Sequence, residues 1–254
     1  KEIQKLIGEL EALLKSRAKI MKVVKTELME VADKYGDDRR TKIVKGGVKQ
    51  LNPEDLVPDD ESVLVLTKGG YVKRTNPSEY KVQKRGGVGV IDLNTKEEDV
   101  VTTLLTTSAH SDLLFFTDAG KVYQSKMYEI PEGRRATKGK SIMNFLPLTA
   151  EEHVTSVLAV RKDEWDGDWG LMMVTKNGVA KKSDASAFKD VRRSGLIAIK
   201  LKPDDALIAA RFVGSGDEVS LVTRKGQSIR FKEEDVREMG RTAAGVAAMK
   251  IAKG

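Results

Sequence analysis

Val63-Leu64-Val65-Leu66-Thr67-Lys68-Gly69-Gly70-Tyr71-Val72-Lys73-Arg74 is an apolar run, a four-residue turn and a second run mixing apolar with basic residues. Thr, a polar residue, a permissive residue and Gly suit a type I turn followed by a left-handed glycine, so the two runs are the arms of a β-hairpin. The same turn returns at Thr117-Asp118-Ala119-Gly120, Thr175-Lys176-Asn177-Gly178 and Thr223-Arg224-Lys225-Gly226. An apolar run leads into each: Leu113 to Phe116, Leu171 to Val174 and Val219 to Val222. The turn threonines are 50, 58 and 48 residues apart, which marks a repeat architecture.

Two further strands belong to each unit. One follows a basic run, in Val88 to Ile91, Ser141 to Phe145 and Leu196 to Ile199. Another precedes each later turn, in Val100 to Leu105, Val154 to Val160 and Ala206 to Val213. Four strands per unit of about fifty residues is the arithmetic of a propeller blade. The expected fold is therefore mainly β, a propeller-like disc of four-stranded blades with four visible repeats.

Ahead of the repeats the periodicity changes. Ile3, Leu6, Ile7, Leu10, Leu13 and Leu14, then Ile20, Met21, Val23, Val24, Leu28 and Val31, recur at helical spacing. Ser16 is placed to cap a second helix through its hydroxyl, and Gly36 to end it in the left-handed conformation. An apolar helical stripe packs poorly on a protein made otherwise of strands, so residues 1–40 are expected to be the tail of a preceding helical domain with its linker Asp37-Asp38-Arg39-Arg40. Residues 41–254 are expected to form the β domain.

Composition narrows the function. The 254 residues carry 45 Lys plus Arg against 38 Asp plus Glu, a net charge of +7 that favours an acidic partner, nucleic acid first. Cysteine is absent, which removes disulfides, thiolate zinc sites and thiol catalysis. The apolar runs are too short to span a bilayer, and a cytoplasmic location is compatible with all of this.

The placement of charge says more than its total. Eighteen residues beyond each turn threonine stands an arginine: Arg85, Arg135, Arg193 and Arg241. Around them gather Lys84, Arg134 and Arg192, with Lys73, Arg74, Lys138, Lys140, Lys181, Lys182, Arg230 and Lys232 nearby. A bland alternative is that these cations merely keep edge strands soluble. Four arginines at one phase, with glycines such as Gly86, Gly87 and Gly89 behind them, favour phosphate contact instead. Acids occupy another phase, in Glu97-Glu98-Asp99, Glu151-Glu152 and Asp204-Asp205, so stacked units would carry a continuous basic belt. About eight phosphate contacts give a salt slope of about −7 and position duplex DNA without reading it. His110 and His153 lack metal-ligand spacing, Gly86-Gly87-Val88-Gly89 lacks the Lys-Ser/Thr of a nucleotide loop, and Trp165-Asp166 lies in a polar loop segment.

These residues resemble the A subunits of bacterial DNA gyrase. Gln83-Lys84-Arg85-Gly86-Gly87-Val88-Gly89 is similar to that family's glycine-rich box Gln-Arg-Arg-Gly-Gly-Lys-Gly, with Lys84 for one Arg and Val88 for the later Lys. Gly70-Tyr71-Val72-Lys73-Arg74, Tyr128-Glu129-Ile130-Pro131 and Met239-Gly240-Arg241-Thr242-Ala243 add to the likeness, as does Tyr35 to Thr41, which resembles the end of the breakage and reunion domain. The resemblance implies a β-pinwheel whose basic perimeter, Gln83 to Gly89 included, wraps duplex DNA and directs ATP-dependent negative supercoiling by the whole topoisomerase. It also implies partners, the gyrase B protein and a second A protein, and no cofactor on this stretch, since the catalytic tyrosine, magnesium and ATP sites belong to other parts of the enzyme. The corresponding protein of topoisomerase IV, with a related disc and an eroded box, is the near alternative. A propeller-like protein-interaction scaffold is the alternative of another class. The family disc usually has six blades, so four turns imply either a truncated or a smaller, open disc.

Overall fold

The computed structural model describes residues 1–41, 53–80, 85–87 and 99–251. Backbone contacts divide the chain into two units, Lys1–Leu51 and Asn52–Gly254. The first holds α1 (Glu2–Leu14) and α2 (Arg17–Tyr35), broken at Lys15 and Ser16 as the pattern predicts. Ser16 stands at the start of α2 in extended conformation, yet its hydroxyl makes no capping bond. Gly36 also differs from expectation, ending α2 with φ −69° and ψ 131° rather than left-handed. Glycine is needed there for space, since a Cβ would lie 2.3 Å from the Ala32 carbonyl oxygen. No residue of either helix is buried, and Ile3, Leu6, Ile7, Leu10 and Leu14 face solvent.

In the second unit the strands are, in chain order, β1 (Glu61–Thr67), β2 (Tyr71–Thr75), β3 (Val101–Ser108), β4 (Asp112–Thr117), β5 (Lys121–Lys126), β6 (Lys140–Ser141) and β7 (Val154–Val160). There follow β8 (Gly170–Thr175), β9 (Val179–Asp184), β10 (Leu196–Ile197), β11 (Leu207–Val213), β12 (Glu218–Val222), β13 (Ser228–Lys232) and β14 (Val246–Ala247). All four hairpins are present, and their turn glycines 70, 120, 178 and 226 have φ between 73° and 82°. The threonine matters through its hydroxyl, which accepts the amide of Tyr71 at 3.1 Å, Val179 at 3.3 Å and Gln227 at 3.1 Å in three of the turns.

The sheets run β3-β1-β2-β6, β10-β5-β4-β7 and β11-β8-β9-β14, with β12 and β13 paired in a two-stranded sheet among the described residues. Each four-stranded blade thus takes its hairpin and third strand from its own unit and its last strand from the following unit. This exchange makes the fold a β-pinwheel. The exchanged strands are shorter than the sequence predicts, because after two residues the chain turns to bond the preceding hairpin's glycine. Ile142 donates to the Gly70 carbonyl, Ala198 and Ile199 to that of Gly120, and Ala248 and Met249 to that of Gly178. The strand expected at Val88 to Ile91 lies outside the described residues.

The core lies between blades. Every residue of β4 is buried, because successive side chains point to opposite faces and both faces are covered. Leu113 and Phe115 join Leu64, Leu66, Val72 and Ile142 on one side, while Leu114 and Phe116 join Leu171, Met173, Phe188 and Leu207 on the other. A third cluster ties Met172, Val174 and Ala180 to Val236. At about 1.5–3 kcal/mol for each large apolar side chain buried, this packing is what holds successive blades together. The longer spacing of the third unit comes from a segment around Trp165, expected as loop. It is a short 3-10 turn, and Trp165 is a core residue whose indole donates to Asp112 Oδ2 at 2.9 Å.

Candidate nucleic-acid interface

The third strand β7 lies against both β3 and β11, which leaves the opposite edge of each blade facing outward. That outer edge is composite. In the first blade, Pro131 and Gly133 bond the two sides of the Arg74 backbone at 2.9 Å each, and residues 134–139 then run beside β2 until β6 pairs with Tyr71 and Val72. In the third blade, Met239 donates to the Lys182 carbonyl at 2.8 Å and β14 pairs with Val179 and Ala180. The second blade uses a side chain instead, Gln124, which accepts the Val191 amide at 2.8 Å and donates to the Lys189 carbonyl at 3.2 Å. The basic run of each later unit is therefore laid on the outer edge of the blade before it.

Glycine has a packing role in these loops. Gly139 and Gly245 are left-handed, at φ 83° and 88°, and a Cβ on them would meet the carbonyl oxygens of Val72 and Ala180 at 2.5 and 2.7 Å. They let the loop lie on the preceding blade, whereas the sequence pattern suggests phosphate approach for the glycines behind the basic run.

The structure sorts the expected cations into two groups. Arg85, Arg134, Lys140, Arg192, Arg193, Arg230, Lys232 and Arg241 are exposed. Of these eight, Arg230 pairs with Glu218 at 3.4 Å and Lys232 with Glu234 at 3.2 Å. Arg85 is followed by exposed Gly86 and Gly87, while Gln83, Lys84 and Gly89 lie outside the described residues.

The other group is committed inside the protein. Lys73 is 1% exposed and Lys181 fully buried, which corrects their expected role as phosphate contacts. An ammonium with no open surface cannot neutralise a phosphate. Lys73 Nζ donates to the Arg135 carbonyl, and Lys181 Nζ to those of Ala198 at 2.6 Å and Arg241 at 2.5 Å. Burial, reinforced by the Arg241 charge, pulls the Lys181 ammonium down from 10.5 to about 8. Arg74 pairs with Glu132 at 3.5 Å, Lys182 with Glu233, and the Lys138 ammonium sits 3.6 Å from the Tyr71 ring centroid. Arg135 is half-buried: its guanidinium donates to the Glu79 carbonyl at 3.0 Å and its amide to the Glu79 carboxylate at 2.6 Å. These side chains hold the protein together before they can bind anything else.

The acidic phase also has a structural use. Asp99 accepts the Gly69 amide at 2.8 Å and Asp205 that of Asn177 at 3.0 Å, each closing a hairpin turn. Glu152 is buried and accepts from the Thr117 hydroxyl at 2.7 Å, the Tyr123 hydroxyl at 3.2 Å and Lys121 at 3.4 Å. Burial pushes its carboxyl up, but these three donors together hold it below the usual carboxylate range. The one signal that could have separated interior from exterior cations is their phase. Lys73 and Lys181 both stand six residues after a turn threonine, in the strand rather than the loop. His110 is taken up by the Val57 carbonyl at 2.8 Å and His153 by that of Glu151 at 3.0 Å.

Comparison with known proteins agrees with this geometry. The family profile described as "DNA gyrase C-terminal domain, beta-propeller" matches residues 61–108, 111–161, 171–213 and 217–254, one stretch per unit. The chain is 42% identical to the DNA gyrase A protein of Clostridium acetobutylicum over 245 residues, covering 96% of this chain and 29% of that protein. It is 41% identical to the DNA gyrase A protein of Staphylococcus aureus over 253 residues, covering 100% and 28%. It thus spans less than a third of the length of the curated relatives it matches. Among solved structures, the C-terminal domain of DNA topoisomerase IV superposes with a TM-score of 0.65 and that of DNA gyrase A with 0.62, each at 28% identity. The first covers 78% of this chain and 59% of its own, the second 77% and 62%.

Proposed function

The chain belongs to the DNA gyrase C-terminal domain, beta-propeller family, and on that premise we propose that its β unit binds and wraps duplex DNA along the outer edge of the blades. The observation that carries this reading is the recurrence of exposed cations, Arg134, Lys140, Arg192, Arg193 and Arg241, on the composite outer edges of successive blades. Guanidinium groups spaced by the blade repeat meet phosphates through charge-assisted hydrogen bonds and release counterions, which binds duplex without regard to sequence. Following a curved row of cations bends the duplex, and the bending cost of several kcal/mol is offset by the phosphate bonds that the bend allows to form.

In the whole protein this unit acts as the C-terminal module of a cytoplasmic DNA gyrase A protein. It wraps a duplex segment for an enzyme completed by a second A protein and by the gyrase B protein, where ATP and magnesium are used. Relaxation of closed circular DNA by a nicking-closing enzyme, with this chain bound at saturation, tests the wrapping. A shift in linking number is expected, and binding without a shift overturns it. The superposition on the topoisomerase IV domain favours a second reading, a duplex-binding unit of topoisomerase IV type, for which binding with a much smaller shift is the outcome.

A further inference from the structure

Two of the expected phosphate ligands are enclosed by the fold, and they recur at one phase of the repeat. Lys73 donates to the Arg135 carbonyl, and Lys181 donates to the Arg241 carbonyl at 2.5 Å. The guanidinium of each of these arginines reaches back to the same preceding unit, Arg135 to the Glu79 carbonyl at 3.0 Å and Arg241 to that of Ala187 at 3.5 Å. Glu79 and Ala187 are themselves equivalent, each twelve residues after its turn threonine. One clasp thus occurs twice. In the unit between, Tyr123 takes the lysine's place, its hydroxyl goes to Glu152, and Gln124 does the holding.

A buried ammonium fills space at a high desolvation cost, and an apolar side chain of similar volume is often as stabilising or more so. What an ammonium supplies is direction, since its donors fix the carbonyls of a loop that belongs to another unit. We propose that Lys73 and Lys181 are positioning residues of the outer edge: each holds the main chain of the next unit's basic loop so that its exposed guanidiniums, Arg134 and Arg241, meet DNA phosphates in register. The inference rests on the DNA-binding reading above. A loop held in its bound shape loses less freedom on association, so release of the clasp weakens binding although no surface charge is removed.

The test is Lys181→Met and Lys73→Met in the 254-residue chain, with circular dichroism and thermal unfolding to verify the fold. Binding to a fluorescent duplex is followed by anisotropy across salt concentrations. Each substitution is expected to weaken binding about three- to tenfold. The salt slope should become shallower by about one phosphate contact. Lys181→Met combined with Arg241→Ala should be no weaker than Arg241→Ala alone, because the lysine acts through that arginine. Wild-type affinity and slope in both lysine variants, with weaker binding in Arg134→Ala and Arg241→Ala, overturns the positioning role and leaves DNA binding standing. Unchanged binding in the arginine variants overturns the DNA reading itself. If Lys181→Met does not fold, Lys73→Met carries the test; if neither folds, the lysines are structural and the proposal fails.

Discussion

Replacing Arg134 and Arg192 together by Ala removes two exposed guanidiniums, one from each of two outer edges, with no ion pair of theirs among the described residues to complicate the result. Counting one phosphate contact for each of the eight exposed cations, the unaltered chain has a salt slope of about −7, at about −0.9 per phosphate neutralised. The double variant should fall to about −5.5 by the same relation. Raising salt from roughly 50 to roughly 200 mM then costs the parent about 10⁴-fold in affinity and the variant about 10³-fold. Near 0.1 M salt each lost contact weakens binding roughly eightfold, so the pair costs about 60-fold. Anisotropy titrations at several salt concentrations resolve both numbers. Lys162→Ala is the matched control, an exposed cation in the Trp165 segment and outside the basic phase. Should Arg134→Ala/Arg192→Ala keep the slope of Lys162→Ala, the outer edge is not the phosphate-binding surface.

Four further outcomes concern the fold beneath that edge. Glu152→Ala strips the Thr117 and Tyr123 hydroxyls of their shared acceptor and should cost about 2–4 kcal/mol in urea unfolding. Because its folded carboxyl lies below the ordinary value, the stability Glu152 confers is complete above about pH 4.5 and is lost as pH falls through the folded value; the parent should therefore lose its advantage over Glu152→Gln in acid. Lys181 works in the same sense at higher pH. Its lowered pKa means that the folded state sheds the proton first, so the parent should gain up to about 3 kcal/mol relative to Lys181→Met as pH rises from about 8 towards 10.5, measured by denaturant midpoints. Gly195→Ala drives a methyl to 2.6 Å from the Tyr123 ring at a φ of 79°, and a loss of about 1–3 kcal/mol in thermal or urea unfolding is expected.

Much of the fold is legible because hairpins are local. Thr67 and Gly70 specify a turn through their own hydroxyl and φ, and the apolar runs beside them need no knowledge of the rest of the chain. The third strands are legible as well, and Val154–Val160 has the predicted bounds. The exchange of the last strand leaves no such mark, since two residues of pairing at Lys140 and Ser141 carry no periodicity. Burial of a cation is equally silent: Lys181 and Lys182 are neighbours of one type, and only the carbonyls of Arg241 and Ala198, 60 and 17 residues away, decide which points inward. Trp165 reads as loop because its polar neighbours, Glu164 and Asp166, dominate the local composition while its partner Asp112 lies 53 residues back. The basic phase is visible as a period, but which of its members face solvent is a property of packing.

The exchanged strand also sets a timetable. Thr75 closes β2, yet the strand that completes its blade is not made until Ser141. At about 5–20 residues per second of synthesis, β2 waits roughly 3–13 s with an open flank, the state in which strands pair with the wrong chain. The Arg135 carbonyl that Lys73 bonds and the Glu132 carboxylate that pairs with Arg74 are made only late in that wait, and charge on an open strand discourages such pairing, as at Lys181 and Lys182 of β9. A side chain that ends as an internal strut thus begins as a guard on a newborn edge.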